Sequence, residues 1–330
     1  MAQRVYTFLL DLDWKMIQLL SQIDRFDAQW SAWNRPEEKG LKELRSLATV
    51  KSVGASNRIE GNKMTDEAVA ALLQNIDISS LTDRDAQEVV GYFEANELIL
   101  EAYPFIDLTE NSIKSLHNSL LKHSTRDHWH IGDYKMSNNA IEAGFPTEDA
   151  MRQLIQWFLD EKEVHSLLKI ACFTYEFLSI HPFQDGNGRL SRLLSMLLLL
   201  KEGYHWIRYV SFEHEIERRK TENYATLQRC QSQRPGEDVT EWVKFFVDCL
   251  AQIQTQLQTQ LLPRDTGGLF TPKENAVLHL LQIHPQLQSS EVAEKLGYAL
   301  PTVKRLLATL LAKGLVAKHG KGRAVHYTLR

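Results

Sequence analysis

The sequence predicts a mainly α-helical fold that carries one β-hairpin and ends in a small winged helix-turn-helix domain. Segment after segment within residues 1–262 repeats apolar residues at spacings of three and four, which is typical of amphipathic helices. Strand signals in this region are confined to residues 128–141, where apolar residues flank turn-forming dipeptides and predict a hairpin. Beyond a Gly-containing linker at 263–268, three short helical patterns and two short strand patterns follow, as in a winged helix.

The individual helices are predicted from their caps and their periodicity. Asp83 or Thr82 is expected to cap a helix that reaches Tyr103, and Thr109 to cap one that ends near His123. One segment is apolar nearly all round, which indicates a central buried helix. That segment is 190–200, and further helices are predicted at 148–162, 167–180, 240–262, 271–284, 290–296 and 300–313.

The composition excludes several classes of protein. Hydrophobic residues make up 43% and charged residues 24% of the 330, as in folded soluble proteins. The longest nearly apolar run, 193–200, is too short to cross a membrane, and the N-terminus does not resemble a signal peptide. Cys172, Cys230 and Cys249 form no C-x-x-C pair, so we expect reduced, buried thiols in a cytoplasmic protein.

Charge is distributed unevenly along the chain. Residues 268–330 hold nine Lys and Arg against three Glu, a net charge of +6 in a chain of net charge −4, which leaves −10 for the rest. Lys304 and Arg305 lie on the predicted recognition helix, and Lys321 and Arg323 lie on the predicted wing. These cations suit contacts with DNA phosphates, but a solvated face that contacts protein would have the same composition.

The segment His-Pro-Phe-Gln-Asp-Gly-Asn-Gly-Arg at 181–189 carries most of the chemical information. Pro182 ends the preceding helix and places His181 at its rim, where the imidazole can act as a base. Asp185 supplies a hard oxygen ligand that suits Mg²⁺. The glycines that follow let backbone amides and a helix N-terminus approach an anion, and two arginines add positive charge. The spacing therefore predicts a site for phosphoryl or nucleotidyl transfer.

This segment resembles the signature of the Fic family, HPFx[D/E]GNGRxxR, at every specified position. The resemblance implies a Fic-type helical core with a β-hairpin flap, which transfers AMP from its substrate, Mg-ATP, to a Ser, Thr or Tyr hydroxyl of a protein. In the related Doc kinases a Lys takes the place of the second glycine, so Gly here favours nucleotidyl transfer. The roles implied are general base for His181, Mg²⁺ ligand for Asp185, contacts with the α- and β-phosphates for Gly186, Asn187 and Gly188, and contacts with the β/γ end for Arg189 and Arg192.

Two further segments resemble the family in part. Tyr224 begins a Tyr-x-x-Leu pattern that lies near the adenine in the family, and where the family often has Asn seven residues later, this sequence has Gln231. Ordinary helix packing is an equal alternative for Tyr224. The predicted hairpin stands where the family has its flap, an edge onto which a target segment adds as a strand. Its Gly132, Tyr134 and Lys135 correspond to the usual Gly-x-Tyr-Arg with one cation changed.

Upstream, Ser56 and Glu60 match the family's inhibitory pattern, [S/T]xxxE[G/N]. An acid at this position can pair with Arg192 and occupy the space and charge that the γ-phosphate needs. The resemblance therefore implies inhibition by Glu60 from a position N-terminal to the core. The implied domains are an N-terminal helical region at 1–105 with the inhibitory helix at about 40–61, a catalytic core at 106–262, the linker at 263–268 and the winged domain at 269–330.

The sequence leaves alternatives to protein AMPylation. One is a DNA-binding regulator whose Fic core senses a nucleotide. The other is a phosphodiesterase that removes AMP at the same site, with the glutamate orienting a water molecule. The sequence does not identify the target protein, although self-modification is expected, and it excludes neither a monomer nor a homodimer.

Overall fold

The structure, a computed structural model, describes residues 8–32, 39–78, 81–125, 130–135, 147–261, 271–284, 286–320 and 325–329. The chain divides into two compact units, Met1–Gln254 and Thr255–Arg330. The predicted linker at 263–268 lies outside the described residues.

The described residues are mainly helical, as predicted, and they contain a single two-stranded sheet. No helix among them combines the length and the apolar character that a membrane span requires. The helices and strands are α1 (Trp14–Ala32), α2 (Lys39–Ile59), α3 (Asp66–Gln74), α4 (Arg84–Ala102), α5 (Glu110–Leu121), α6 (Thr147–Asp160), α7 (Ser166–Ile180), α8 (Asn187–Lys201), α9 (Phe212–Arg218), α10 (Lys220–Gln231), α11 (Thr240–Leu261), α12 (Pro272–Ile283), α13 (Ser289–Leu296), α14 (Leu300–Ala312), β1 (Val316–His319) and β2 (His326–Leu329).

Side-chain caps begin α4 and α5, the two helices for which the sequence names a cap. The Asp83 carboxylate accepts a hydrogen bond from the N–H of Ala86 at 3.1 Å, so Asp83 rather than Thr82 caps α4. The Thr109 hydroxyl accepts one from the N–H of Ser112 at 3.1 Å and caps α5. Each cap satisfies an amide that has no partner within its helix.

The centre of the first unit is the pair α7 and α8. All but two residues of each helix are buried, which confirms the central buried helix predicted at 190–200. Helices α2, α4 and α5 pack against α8, and α6 packs against α7. The loop that joins α7 to α8 is therefore held from several sides. Cys172, Cys230 and Cys249 are buried and none forms a disulfide, as expected.

The second unit contains the three helices and the two strands expected of a winged helix. Strand β1 pairs antiparallel with β2, with Val316 opposite Leu329. Lys304 and Arg305 are exposed on α14, and Lys321 and Arg323 lie outside the described residues. The apolar core of this unit includes Val277, Leu281, Val292, Val303, Leu307 and Leu310.

The predicted hairpin at 128–141 is described only at 130–135. These six residues form a turn followed by three residues of irregular structure. The remainder of the predicted hairpin lies outside the described residues, so its strands stay a prediction.

A buried ion pair fastens the chain after α10 to α7. Arg234 Nη2 donates hydrogen bonds to both carboxylate oxygens of Glu176, at 2.8 and 2.9 Å. The Glu176 side chain is only 1% exposed, and Glu176 lies five residues before His181. Because both side chains are nearly inaccessible to water, the two charges stabilise each other with little screening.

Arg234→Ala is expected to destabilise the first unit by about 3–5 kcal/mol, because the buried Glu176 carboxylate would lose the two hydrogen bonds and the positive charge of the guanidinium. Urea unfolding followed by tryptophan fluorescence reports on this unit alone, since all seven tryptophans precede residue 255. Arg229→Ala is the matched control. Arg229 pairs with Glu241 at a site where both side chains are more than half exposed, so the expected loss is below about 1 kcal/mol. Equal losses in the two variants would contradict the prediction.

Candidate active site

The loop between α7 and α8 begins with a residue in an unusual backbone conformation. His181 has a φ of 51°, and among the described residues it is the one non-glycine residue with positive φ. Its N–H donates to the carbonyl of Phe177 at 2.9 Å, so it ends α7. Left-handed backbone costs a non-glycine residue roughly 1–2 kcal/mol, and such strain is concentrated at functional sites. His181 as a residue is exposed at the end of a buried helix, while its imidazole is partly desolvated.

Asn187, the first residue of α8, closes this loop with its side chain. Its Oδ1 accepts a hydrogen bond from the N–H of Phe183 at 2.9 Å, and its Nδ2 donates to the carbonyl of Phe183 at 2.8 Å. Both residues are buried. The family resemblance implies that Asn187 contacts phosphates. The loop thus engages Oδ1 and one Nδ2 hydrogen, so the second Nδ2 hydrogen and the backbone N–H are what Asn187 has left to offer an anion.

The N-terminus of α8 is suited to an anion, and we call Gly186–Gly188 the anion site. Gly186 caps the helix with a φ of 79° and provides no side-chain hydrogen bond. The first amides of the helix and the positive end of its dipole therefore face this point. A Cβ at Gly188 would collide with the carboxylate of Glu60. The glycine thus leaves room for a negatively charged group, and Glu60 occupies that room.

Glu60 lies just beyond the end of α2 and forms an ion pair with α8. Arg192 Nη2 donates to Glu60 Oε1 at 2.8 Å and to the carbonyl of Ser56 at 2.9 Å. Arg192 Nε donates to the Ser56 hydroxyl at 2.7 Å. The Arg192 side chain is 7% exposed, so the attraction is stronger than between surface charges. The structure therefore brings together Ser56, Glu60 and Arg192, the three residues that the inhibitory pattern connects.

Arg189 has different partners from Arg192, although the two lie one turn apart. Its Nη2 donates to Asp185 Oδ2 at 3.2 Å, and its Nη1 lies 3.6 Å from Glu88 Oε1 on α4. The side chain is 2% exposed. The family resemblance implies that Arg189 holds the β/γ end of a nucleotide. In the structure Arg189 supports Asp185 from within the protein.

Asp185 fits the donor chemistry that a magnesium ion needs. Its carboxylate accepts from the N–H of Gly186 at 2.7 Å through Oδ1 and from Arg189 through Oδ2, which fixes its direction. The side chain is 43% exposed, so its oxygens remain accessible. No group of three His, Cys, Asp or Glu within the described ranges could hold a metal by itself. Mg²⁺ accepts such a site, because it commonly combines one carboxylate with substrate phosphates and water.

The electrostatic surroundings of His181 favour the neutral imidazole. Desolvation lowers its pKa, and the positive charge of Lys135 lowers the pKa further, while the carboxylates of Glu60 and Asp185 act in the opposite direction. A neutral imidazole can accept a proton, whereas an imidazolium cannot.

A cavity of about 270 Å³ opens beside His181, Gly188 and Arg192. Tyr224 and Gln231, the predicted adenine contacts, both line it. The rest of its wall is largely apolar and aromatic, which suits a flat ring. The apolar lining residues include Leu178, Phe212, Ile216, Leu227, Trp242, Phe245 and Phe246.

Comparison with known proteins identifies this region. The family model described as Fic/DOC family matches residues 107–199, which include the loop, the anion site and Arg192. Residues 107–199 are a Fic/DOC family domain. A second model, the IclR helix-turn-helix domain, matches residues 276–320 within the winged unit.

Relatives named protein adenylyltransferase Fic are similar over most of this chain. The protein adenylyltransferase Fic of Drosophila melanogaster is 26% identical over 268 residues, which cover 77% of this chain and 51% of the relative. The protein of the same name from Nematostella vectensis is 27% identical over 216 residues, covering 61% and 48%. The chain thus spans about half the length of the curated relatives it matches.

Solved structures share the fold. A Fic family protein from Desulfovibrio desulfuricans superposes with a TM-score of 0.64 at 22% identity, covering 98% of each chain. Residues 134–508 of Fic-1 from C. elegans superpose with a TM-score of 0.60 at 19% identity, covering 74% of this chain and 71% of that solved chain.

The described part of the predicted flap lies against the loop of the Fic domain. The N–H of Lys135 donates to the carbonyl of Pro182 at 2.9 Å, and the Tyr134 ring meets Phe183 edge-on at 5.2 Å. Gly132 has a φ of 79°, and a Cβ there would press on the amide of Asn118. The three flap residues singled out in the sequence therefore lie close to the loop that follows His181.

The end of α2 is fastened by contacts that the sequence does not predict, and we call them the α2 clasp. Arg58 donates two hydrogen bonds to Glu217 of α9, at 2.6 and 3.0 Å. Lys220 Nζ donates to the carbonyl of Ile59 at 2.6 Å. These contacts join residues about 160 positions apart, so no local pattern could have indicated them. They hold the chain directly before Glu60.

A second feature that the sequence does not predict is His117 of the Fic domain. It is fully buried between the flap turn and the loop, and burial lowers its pKa to about 4. A histidine on the apolar face of a predicted helix gives no sequence signal that separates it from an ordinary core residue.

Proposed function

We propose that this chain transfers AMP from ATP to a hydroxyl of a protein, itself included, and that Glu60 restrains the reaction. One observation carries the proposal: the Glu60 carboxylate lies against Gly188 and pairs with Arg192 at the N-terminus of α8. An anion already lies where the helix dipole, the glycine and the arginine would bind a phosphate. The relatives named protein adenylyltransferase support the class of reaction.

The protein's own residues divide the work between binding and proton transfer. The anion site and Arg192 hold the phosphates, and the apolar cavity takes the adenosine. His181, neutral at working pH, accepts the proton of the attacking hydroxyl. The hydroxyl oxygen bonds to the α-phosphorus of ATP, the bond between the α- and β-phosphates breaks, and pyrophosphate leaves. Asp185 would hold Mg²⁺, which neutralises phosphate charge when it is bound.

Glu60 opposes this arrangement because it competes for the same charge and space. A γ-phosphate bound to Arg192 would lie in direct contact with the Glu60 carboxylate. Both groups are negatively charged, so they would repel each other strongly. Glu60 must therefore leave before ATP can bind in a productive way. The experiment that tests the proposal compares wild type with Glu60→Gly, each incubated with labelled ATP, GTP, UTP and CTP, and counts label on protein.

The α2 clasp should contribute to this restraint. Glu217→Ala removes one of the two carboxylate partners of Arg58 and leaves Asp66, at 2.9 Å, as the other. The end of α2 loses its bond to α9, so self-labelling should rise by about tenfold, the equivalent of about 1.4 kcal/mol. Glu222→Ala is the matched control, because Glu222 pairs with Arg219 on the surface of α10. Labelling that does not change in Glu217→Ala, measured with labelled ATP, would exclude the clasp from the restraint.

The match to the IclR helix-turn-helix domain favours a second candidate function for the winged unit, namely DNA binding. Lys304 and Arg305 are exposed on α14, the position of a recognition helix. Lys304→Ala with Arg305→Ala should weaken binding to duplex DNA and lower the slope of log Kd against log salt by about 0.9 for each phosphate that the protein no longer neutralises. Lys244→Ala, which removes a charge from the other unit, should have no effect. If a mobility-shift assay gives the same affinity for duplex DNA with and without all three substitutions, this function is contradicted.

A further inference from the structure

His117 of α5 contacts both the flap turn and the loop that precedes the anion site. The N–H of Gly132 donates to His117 Nδ1 at 2.9 Å, and His117 Nε2 lies 3.0 Å from the carbonyl of Asp185. A backbone N–H can only donate, so Nδ1 carries no proton. In the neutral ring Nε2 therefore holds the proton and donates to the Asp185 carbonyl. One tautomer satisfies both contacts.

The ring of His117 also fixes the loop by stacking. It lies parallel to the Phe183 ring, with centroids 3.8 Å apart and planes at 11°. Phe183 in turn contacts Tyr134 of the flap segment. The flap segment and the loop thus meet through several contacts, and His117 bonds to the backbone of both. Its side chain is fully buried, so water cannot replace either hydrogen bond at low cost.

We propose that His117 is a positioning residue that holds the flap segment 130–135 in register with the anion site. The inference rests on the proposed function, because the flap is where a target segment would dock and the anion site is where the nucleotide phosphates would bind. Transfer requires the target hydroxyl, His181 and the phosphorus atom to be held within about 0.5 Å of their productive arrangement. A small displacement of one binding surface against the other therefore slows transfer without preventing either partner from binding.

The variant that tests this role is His117→Phe in the Glu60→Gly background. Phenylalanine keeps an aromatic ring that can stack on Phe183, although its ring is somewhat larger than imidazole, and it loses both hydrogen bonds. We expect the maximal rate of self-labelling with ATP to fall by about 100-fold. The KM for ATP and its affinity, measured by calorimetry, should change by less than about threefold, since Arg192 and the anion site remain.

Two further variants provide the controls. His117→Asn keeps an acceptor at the position of Nδ1 for the Gly132 amide, and it should recover part of the lost rate. His123→Phe is the matched control, because His123 is a second histidine, directly after the same helix, and it bonds Glu94 away from the loop. Its rate should equal that of the Glu60→Gly parent. If His117→Phe matches the parent rate, or loses ATP affinity in proportion to its rate, the positioning role is wrong.

A second measurement does not depend on activity. In the wild-type protein the ¹⁵N shifts of His117 should show a protonated Nε2 and an unprotonated Nδ1. Hydrogen exchange of peptides that cover 130–135 should be faster by about tenfold or more in His117→Phe than in His123→Phe, because each missing bond exposes a backbone group. A proton on Nδ1, or equal exchange in the two variants, would overturn the inference. If the exchange differs while Glu60→Gly transfers no AMP, the proposed function fails and the contact between flap and loop stands.

Discussion

Glu60→Gly is expected to raise self-labelling with ATP by about 100-fold. In the ion pair between Glu60 and Arg192 the arginine side chain is 7% exposed and the glutamate side chain 32% exposed. A contribution of about 3 kcal/mol to the restrained arrangement, the lower end of the range for a buried pair, corresponds to that factor. Glycine removes the carboxylate and its volume together. Arg192 and the space beside Gly188 then become available to the phosphates.

Two controls separate charge from volume in this experiment. Glu60→Gln keeps the side-chain size and removes the charge, so it should activate less than glycine does. Glu43→Gly makes the same chemical change at an exposed position of α2 and should leave labelling at the wild-type level. Equal labelling of wild type and Glu60→Gly, with mass spectrometry to locate the AMP, would refute the restraint by Glu60.

His181→Ala in the Glu60→Gly background should lower the rate of transfer by about 100- to 10,000-fold, the range that a general base contributes. The imidazole lies beside the anion site, and its pKa is lowered, so it is free to accept a proton at neutral pH. Alanine leaves the phosphate contacts in place. The affinity for ATP should therefore stay within about threefold of that of Glu60→Gly, because the substitution removes a proton acceptor and leaves the contacts with ATP in place.

The pH dependence of the rate provides an independent check on His181. A group whose pKa is lowered stays deprotonated to lower pH, so the rate in Glu60→Gly should hold from pH 8 down to about 6.5 and decline only below that value. His205→Ala is the control, since His205 bonds Tyr103 and does not line the cavity.

Full labelling by His181→Ala would assign proton transfer to another group.

Much of the fold is readable from local patterns. The caps at Asp83 and Thr109 are found because an N-cap acts on amides two or three residues away, within any short window of sequence. Burial of α8 is predicted correctly because apolar residues occupy nearly all faces of the helix, a pattern that is visible in its own sequence. The three helices and the wing of the second unit follow from the same kind of signal.

The contacts of the site residues involve partners that are far away in the chain. The sequence predicts these contacts less well than it predicts the helices. The i, i+3 spacing of Arg189 and Arg192 suggests one shared role, yet Arg189 faces Glu88 of α4 while Arg192 faces Glu60. Which of two neighbouring arginines reaches a ligand is decided by the helices packed around them. The role of His117 has no sequence signal for the same reason, since its partners lie 15 and 68 residues away.

The double use of Arg192 has a consequence for how such a protein can be switched on. Under the proposed function one guanidinium serves the resting and the working state in turn, so substitutions of Arg192 release the carboxylate and disable the enzyme at once. Gain-of-function changes should therefore map to Glu60, Ser56 or the surfaces that anchor α2, and not to α8. A natural activator would likewise have to pull on the helix that carries the glutamate.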